Sequence, residues 1–180
     1  MYGMVNRAVE EMVTSHFGND TWLEIKRVAE VDTEVFVSLE AYPDDVTYRL
    51  VGAASEVLGL PSEQILEEFG QYWVLHTARD GYGSLLDAGG ATLPEFMRNL
   101  PGLHARVALI FPNLKPPTFA VSDETPNSIT VHYRSSRTGL QPMVFGLLKG
   151  VAARFQTKAA ITRLQSYEDG ADHDVYLMQW

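Results

Sequence analysis

The 180-residue chain contains no cysteine. That absence excludes disulfides, thiolate catalysis, iron–sulfur clusters and any zinc or haem held through cysteine sulfur. Positive charge is scarce as well: 14 Lys and Arg stand against 23 Asp and Glu, for a net charge of −9. That balance argues against nonspecific nucleic-acid binding and against an anionic membrane surface, and no Lys/Arg-rich run offers a local exception. Long apolar runs are missing too. Stretches such as 143–148 fall far short of the ~20 residues that span a bilayer. The N-terminal "MYGMVNRAVEEMV" carries acidic residues and has no signal-peptide h-region or cleavage site, so the expected compartment is the cytoplasm.

Generic catalytic signatures are absent too. There is no G-x-x-x-x-G-K-[ST] and no G-x-S-x-G, and "GYGSLLDAGG" lacks the spacing and context of a dinucleotide loop. The carboxylate pairs Asp44/Asp45 and Glu67/Glu68 are adjacent in sequence. Neighbours on a helix do not face one another, so these pairs read as solvated helix faces.

What is present is an ordinary globular composition, 46% hydrophobic and 21% charged. A chain of this length can bury a substantial core, and it reads as one unit of two lobes: a helical lobe over about 1–60 and a second lobe over about 61–180. Val5, Ala8, Val9, Met12 and Val13 recur at helical spacing in 2–17, which Gly18 stops. Thr21 and Glu24 predict a capping box for a second helix. Pro43 predicts the start of a third that ends near Gly59, and Ser62 caps a fourth that Gly70 closes. Helical pattern continues through "QYWVLHTARDG" and again through "LPEFMRNLPGLHARVALIF", where Pro101 and Gly102 suggest a kink. "FPNLKPPTF" cannot be helical, because each proline biases its predecessor towards extended geometry.

The period then changes. "TFAVS" and "SITVHYRS" read as strands, "PMVFGLLKGVAARF" as a helix, and "AAITRLQSY" and "HDVYLMQW" as two more strands. Helices followed by β-β-α-β-β predict an α+β fold with a four-stranded antiparallel sheet.

Two features carry chemistry. None of His16, His76, His104, His132 and His173 forms a pair with the short helical spacing of a zinc site. A lone histidine can still hold haem, which brings its own equatorial nitrogens. His104 is the candidate, because Leu100, Leu103, Val107 and Ala108 flank it at helical offsets. Locally, a satisfied core histidine fits as well. His16 and His173 sit near turns and read as exposed, and His132 should face away from Tyr133. The second feature is "YRSSR": on a strand Tyr133, Ser135 and Arg137 share one face, and together they offer a guanidinium fork and two hydroxyls to an anion. A merely polar sheet face is the alternative.

In combination these features are more specific. "MYGMVNRAV", "GLHARV…FPNLKPP", "YRSSR" and "GLLKG" follow one another in an order that resembles the haem nitric oxide/oxygen-binding (H-NOX) family, related to the haem domain of soluble guanylate cyclase. The resemblance covers essentially the whole chain and is strongest to stand-alone bacterial, particularly cyanobacterial, members. It implies one H-NOX domain over 1–180 with haem b between the lobes. His104 is then the proximal ligand of the haem iron, Tyr133, Ser135 and Arg137 hold the propionates, and Pro117 presses on the porphyrin.

Oxygen-binding members of the family carry a distal tyrosine. Alignment backwards from "GLLKG" puts Met143 at that position, and alignment from Arg137 puts Pro142 there; neither has a donor. Trp73, Val5 and Val9 complete the expected distal pocket, into which Tyr2, Tyr72 and Tyr82 could intrude. The resemblance therefore implies a non-enzymatic sensor that binds NO and CO but not O2. Signalling is by release of His104 to a separate histidine kinase or cyclic-di-GMP enzyme, with no nucleic acid or membrane partner. A haem enzyme, a haem carrier and a non-haem small-ligand-binding α+β domain are the competing expectations.

Overall fold

The structure, a computed structural model, is described for residues 1–111 and 115–180, with the backbone alone at Asp80 and Ile110. The chain begins with α1 (Gly3–Phe17), α2 (Asn19–Val28), α3 (Asp44–Leu58) and α4 (Ser62–Tyr72). A π-helical turn (Trp73–Thr77) leads into α5 (Ala78–Asp87) and α6 (Leu93–Ile110). Then come β1 (Thr118–Thr125), β2 (Ser128–Arg134), α7 (Gln141–Arg154), β3 (Ala160–Gln165) and β4 (Asp174–Gln179). The strands form one antiparallel sheet in the order β1-β2-β4-β3. This is the α+β arrangement that the change of period predicts.

Local chemistry accounts for most boundaries. Gly59 ends α3 in the left-handed region (φ 65°), where a side chain is strained. Thr92 caps α6: its Oγ1 accepts the Glu95 N–H at 3.4 Å, and the Glu95 carboxylate accepts the Ala91 N–H at 2.9 Å. The expected capping box at Thr21 does not form. α2 starts at Asn19, which puts Thr21 inside the helix, and the Thr21 hydroxyl donates to the Phe17 carbonyl at 2.9 Å.

Gly70 does not close α4 either. It lies where α4 crosses α7, and a methyl group there would collide with the Met143 carbonyl. Gly146 of α7 faces the Glu67 carbonyl in the same way. The two glycines let the backbones approach, and Lys149 Nζ donates to Glu67 Oε1 at 2.5 Å beside the crossing. Glu67 is thus paired across helices, whereas Glu68 is exposed.

Two apolar cores result. Trp22, Ile25, Phe36, Leu50 and Phe69 belong to the first, and Phe96, Met97, Ile129, Val131, Tyr176 and Met178 to the second. The changeover falls between Phe69 and Val74 rather than near residue 60, because α4 gives Ile65 and Phe69 to the first core. Trp73 packs against both.

Candidate functional site

α6 carries His104 about two-thirds of the way along its length, past Pro101, which sits inside the helix. The imidazole lies 5.5 Å, centroid to centroid, from the Phe119 ring on β1. Its Nδ1 is buried and has no hydrogen-bond partner among the described residues. Burial lowers the His104 pKa, and the Pro117 carbonyl only partly opposes that effect. A neutral ring with an unsatisfied buried nitrogen is what a metal centre requires of a histidine. Left unpartnered, such an atom costs about 1–3 kcal/mol, which a ligand in the adjoining cavity would offset.

β2 carries Tyr133 on its core face, with its ring 5.2 Å from that of Phe119. Burial raises the Tyr133 pKa, partly offset by a hydrogen bond with the Ser135 hydroxyl. The strand ends at Arg134, so strand alternation does not place Ser135 and Arg137. A turn does: Ser135 Oγ accepts the Arg137 N–H at 3.0 Å, a side-chain bond that competes with the ladder and bends the chain.

The anion that Arg137 meets in this structure is Asp44. Arg137 Nε donates to Asp44 Oδ2 at 2.7 Å and Nη2 to Oδ1 at 3.4 Å, while Nη1 donates to the Lys115 carbonyl at 2.9 Å. The N-terminal ammonium of Met1 also donates to Asp44. Burial pushes the Asp44 pKa up, but Arg137 and the N-terminus outweigh it and hold the carboxyl below its ordinary value. The reading of Asp44/Asp45 as a solvated pair is therefore wrong for Asp44; Asp45 is exposed and pairs with Arg49.

Between the cores lies a cavity of about 300 Å³, the lower end of the usual range for ligand pockets, ~300–1,000 Å³. His104, Pro117, Tyr133, Ser135, Arg137, Trp73, Met143 and Val5 all line it. Val9 does not; it is buried in the first core. Tyr2 and Tyr82 reach the wall, as do Tyr48 and Lys115. Tyr72 instead stacks on His76, centroids 4.6 Å apart. Polar groups gather at one edge, around Tyr48, Lys115, Ser135 and Arg137, and the rest of the wall is largely hydrophobic. Residues 112–114 of the "FPNLKPP" segment lie outside the described residues.

This constellation fits haem: a histidine whose buried Nδ1 has no partner, on the wall of an apolar cavity, and cationic and hydroxyl donors at the rim for two carboxylates. Sequence reasoning missed Asp44, Tyr48 and Lys115. Asp44 follows Pro43 at the start of α3, yet nothing local points it at a residue 93 positions away.

The fold is shared with solved structures. An H-NOX protein from S. oneidensis in the Fe(II)NO ligation state superposes with a TM-score of 0.90 at 23% identity, covering 99% of this chain and 98% of that one. An Fe(II) unliganded H-NOX protein from K. algicida gives 0.86 at 24% identity, covering 99% and 96%. In sequence, residues 2–163 match the Haem-NO-binding family model, and the chain belongs to that family. Its curated relatives include the soluble guanylate cyclases gcy-35 (30% identity over 92% of this chain) and gcy-31 (28% over 94%) of Caenorhabditis elegans. The chain spans 24% of the length of each. Membership makes it a sensor-type domain; among the described residues no helix is long and apolar enough to cross a membrane.

Proposed function

We propose that the chain is a haem-based sensor that takes NO and CO, excludes O2, and passes the signal to a separate cytoplasmic signalling protein. When bound, haem b supplies an iron with a position open to a diatomic gas. The observation that carries the reading is His104, a half-buried imidazole whose Nδ1 is buried and unpartnered on the wall of an apolar cavity.

The chain's own residues divide the work. His104 would hold the haem iron, and Pro117, which lines the same cavity, would pack against the porphyrin. Tyr133, Ser135 and Arg137 would receive the propionates, with Arg137 shared between them and Asp44. Met143 and Val5 give the gas side an apolar wall without donors, next to Trp73. O2 is held well where a hydrogen-bond donor meets its outer oxygen; NO and CO depend on one much less.

With iron bound, His104 would anchor α6 to it, and loss of that bond would free the helix. α6 packs on β1, β1 pairs with β2, and Arg137 beyond β2 is tied to α3 in the other core. The route gives both lobes a stake in one two-state change, which a partner can read only if it alters their surface. A histidine kinase or a cyclic-di-GMP enzyme is the proposed recipient, and the naming of relatives as guanylate cyclases supports a signalling output. The domain performs no catalysis and binds neither nucleic acid nor membrane.

The test is the anaerobic absorption spectrum of the reduced protein before and after NO. A Soret band that shifts on NO addition, with loss of the His104 bond, is expected. Protein that gains no Soret band even when haem is supplied would end this reading.

A further inference from the structure

On the sheet face turned away from the cavity, two histidines distant in sequence meet. His132 Nδ1 and His173 Nε2 lie 2.8 Å apart, with ring centroids separated by 5.1 Å. The register causes this: His132 pairs with Val175 across β2 and β4, so His173, two residues earlier, falls diagonally beside His132 on the same face. The expectation that His173 is exposed is thus corrected; its side chain is 13% exposed.

The outer partners determine which nitrogens carry protons. Asp172 Oδ2 lies 2.8 Å from His173 Nδ1 and also accepts from Arg134 Nη2 at 2.8 Å. Its ion pair with the Arg134 guanidinium makes Asp172 a carboxylate acceptor, so His173 Nδ1 donates to it. On the other side, the Ser122 hydroxyl donates to Asp123 Oδ2 at 2.8 Å. Its oxygen can then only accept from His132 Nε2, 2.8 Å away. In the neutral rings both inner nitrogens therefore present lone pairs to each other. Two lone pairs at hydrogen-bond distance repel unless a cation stands between or beside them.

We infer that His132 and His173 chelate a late divalent transition metal, Cu(II) foremost, at a second site independent of the haem pocket. Two metal–nitrogen bonds of ~2.0 Å spanning a nitrogen pair 2.8 Å apart enclose an angle of about 90°. Neighbouring positions of a tetragonal ion subtend that angle, whereas a tetrahedral zinc site opens wider. Copper also leads the affinity order for imidazole ligands. Each ring has its outer nitrogen held, by Asp172 and by Ser122, the arrangement that orients metal-bound histidines. Asp172 and Asp123 offset the ion's charge. Among the described residues no set of three His, Asp or Glu converges, so water completes the coordination and the ion stays exchangeable.

The test is calorimetric titration of the full chain, haem ferric, with CuCl2 in a glycine buffer that competes for loose sites. Copper-edge X-ray absorption then counts imidazoles without interference from iron. One equivalent of copper with two imidazoles is expected, lost in both His132→Gln and His173→Gln, whose folding is checked by circular dichroism. Asp172→Asn should keep two imidazoles but bind ~10–100-fold more weakly. His16→Gln with His76→Gln should leave binding unchanged. Equal copper binding by wild type and His173→Gln, or a single imidazole in the wild type, overturns the proposal. So does a wild type that takes up no copper, because the pair then shares a proton instead. None of these readouts depends on gas binding.

Discussion

Arg137 and Asp44 form an ion pair at 2.7 Å across 93 positions of sequence, joining the turn after β2 to the first residue of α3. Arg137 is well covered, with a side chain 19% exposed, whereas Asp44 is 39% exposed. The pair thus links the polar rim of the cavity to the helical lobe while remaining open to water on one side.

Replacing Asp44 with Asn should remove this tie and the one to the N-terminus. Because solvent screens the exposed carboxylate, the expected loss is only about 1 kcal/mol, read from the urea midpoint at neutral pH. The acid limb is more diagnostic. A carboxyl whose folded pKa is lowered stabilises the fold above its unfolded pKa, ~3.9, and that contribution fades as pH falls through the folded value. Asp44→Asn should lack this part of the acid-induced loss; an unchanged acid limb would show that Asp44 does not carry it.

Truncating His104 to Gly should abolish haem binding by the reduced protein and restore it when imidazole is added. The Soret band reports both. The imidazole-rescued protein should bind NO yet no longer control the partner, since the ligand is detached from α6. Partner control that survives the substitution contradicts signalling through His104.

Exposure of the reduced protein to air should give no stable oxygen spectrum, because Met143 and Val5 offer no donor on the cavity wall. Tyr82→Phe should leave that result unchanged. A stable oxygen complex in the wild type would overturn the argument from the pocket, and its loss in Tyr82→Phe would name the missed donor.

The helix crossing predicts opposite outcomes for two glycines. Gly146→Ala drives a methyl group into the Glu67 carbonyl and should cost about 1–3 kcal/mol by overpacking. Gly52→Ala, in open space on α3, should instead stabilise by roughly 0.5–1 kcal/mol. Thermal midpoints of the two variants should move in opposite directions. Equal shifts would mean that α4 and α7 are not packed as closely as described.

Much of this architecture was legible from local pattern. Gly18 and Gly59 punctuate helices as read, and the change of period at residue 118 announces the sheet. Reading failed where a residue serves a neighbour distant in sequence. Gly70 looked like a helix end but is a contact point with α7, and the helix runs past it to Tyr72. Val9 looked like a pocket residue because α1 is apolar there, yet its side chain turns into the first core. Ser135 and Arg137 looked like continuing strand, but the Ser135 hydroxyl captures the Arg137 N–H and bends the chain.

Periodicity, caps and composition are local properties, so the sequence by itself determined the order of helices and strands, the α+β class and the absence of thiol chemistry. It also supplied His104 and the Tyr133, Ser135 and Arg137 set as candidates. Only tertiary structure decided what each of them meets. Burial of His104 with Nδ1 unpartnered depends on β1 and the cavity, and the Arg137–Asp44 pair depends on how the two lobes close. The His132–His173 pair depends on the register of β2 against β4. Contacts of that kind arise from packing between segments far apart in the chain, and no pattern within either segment specifies them.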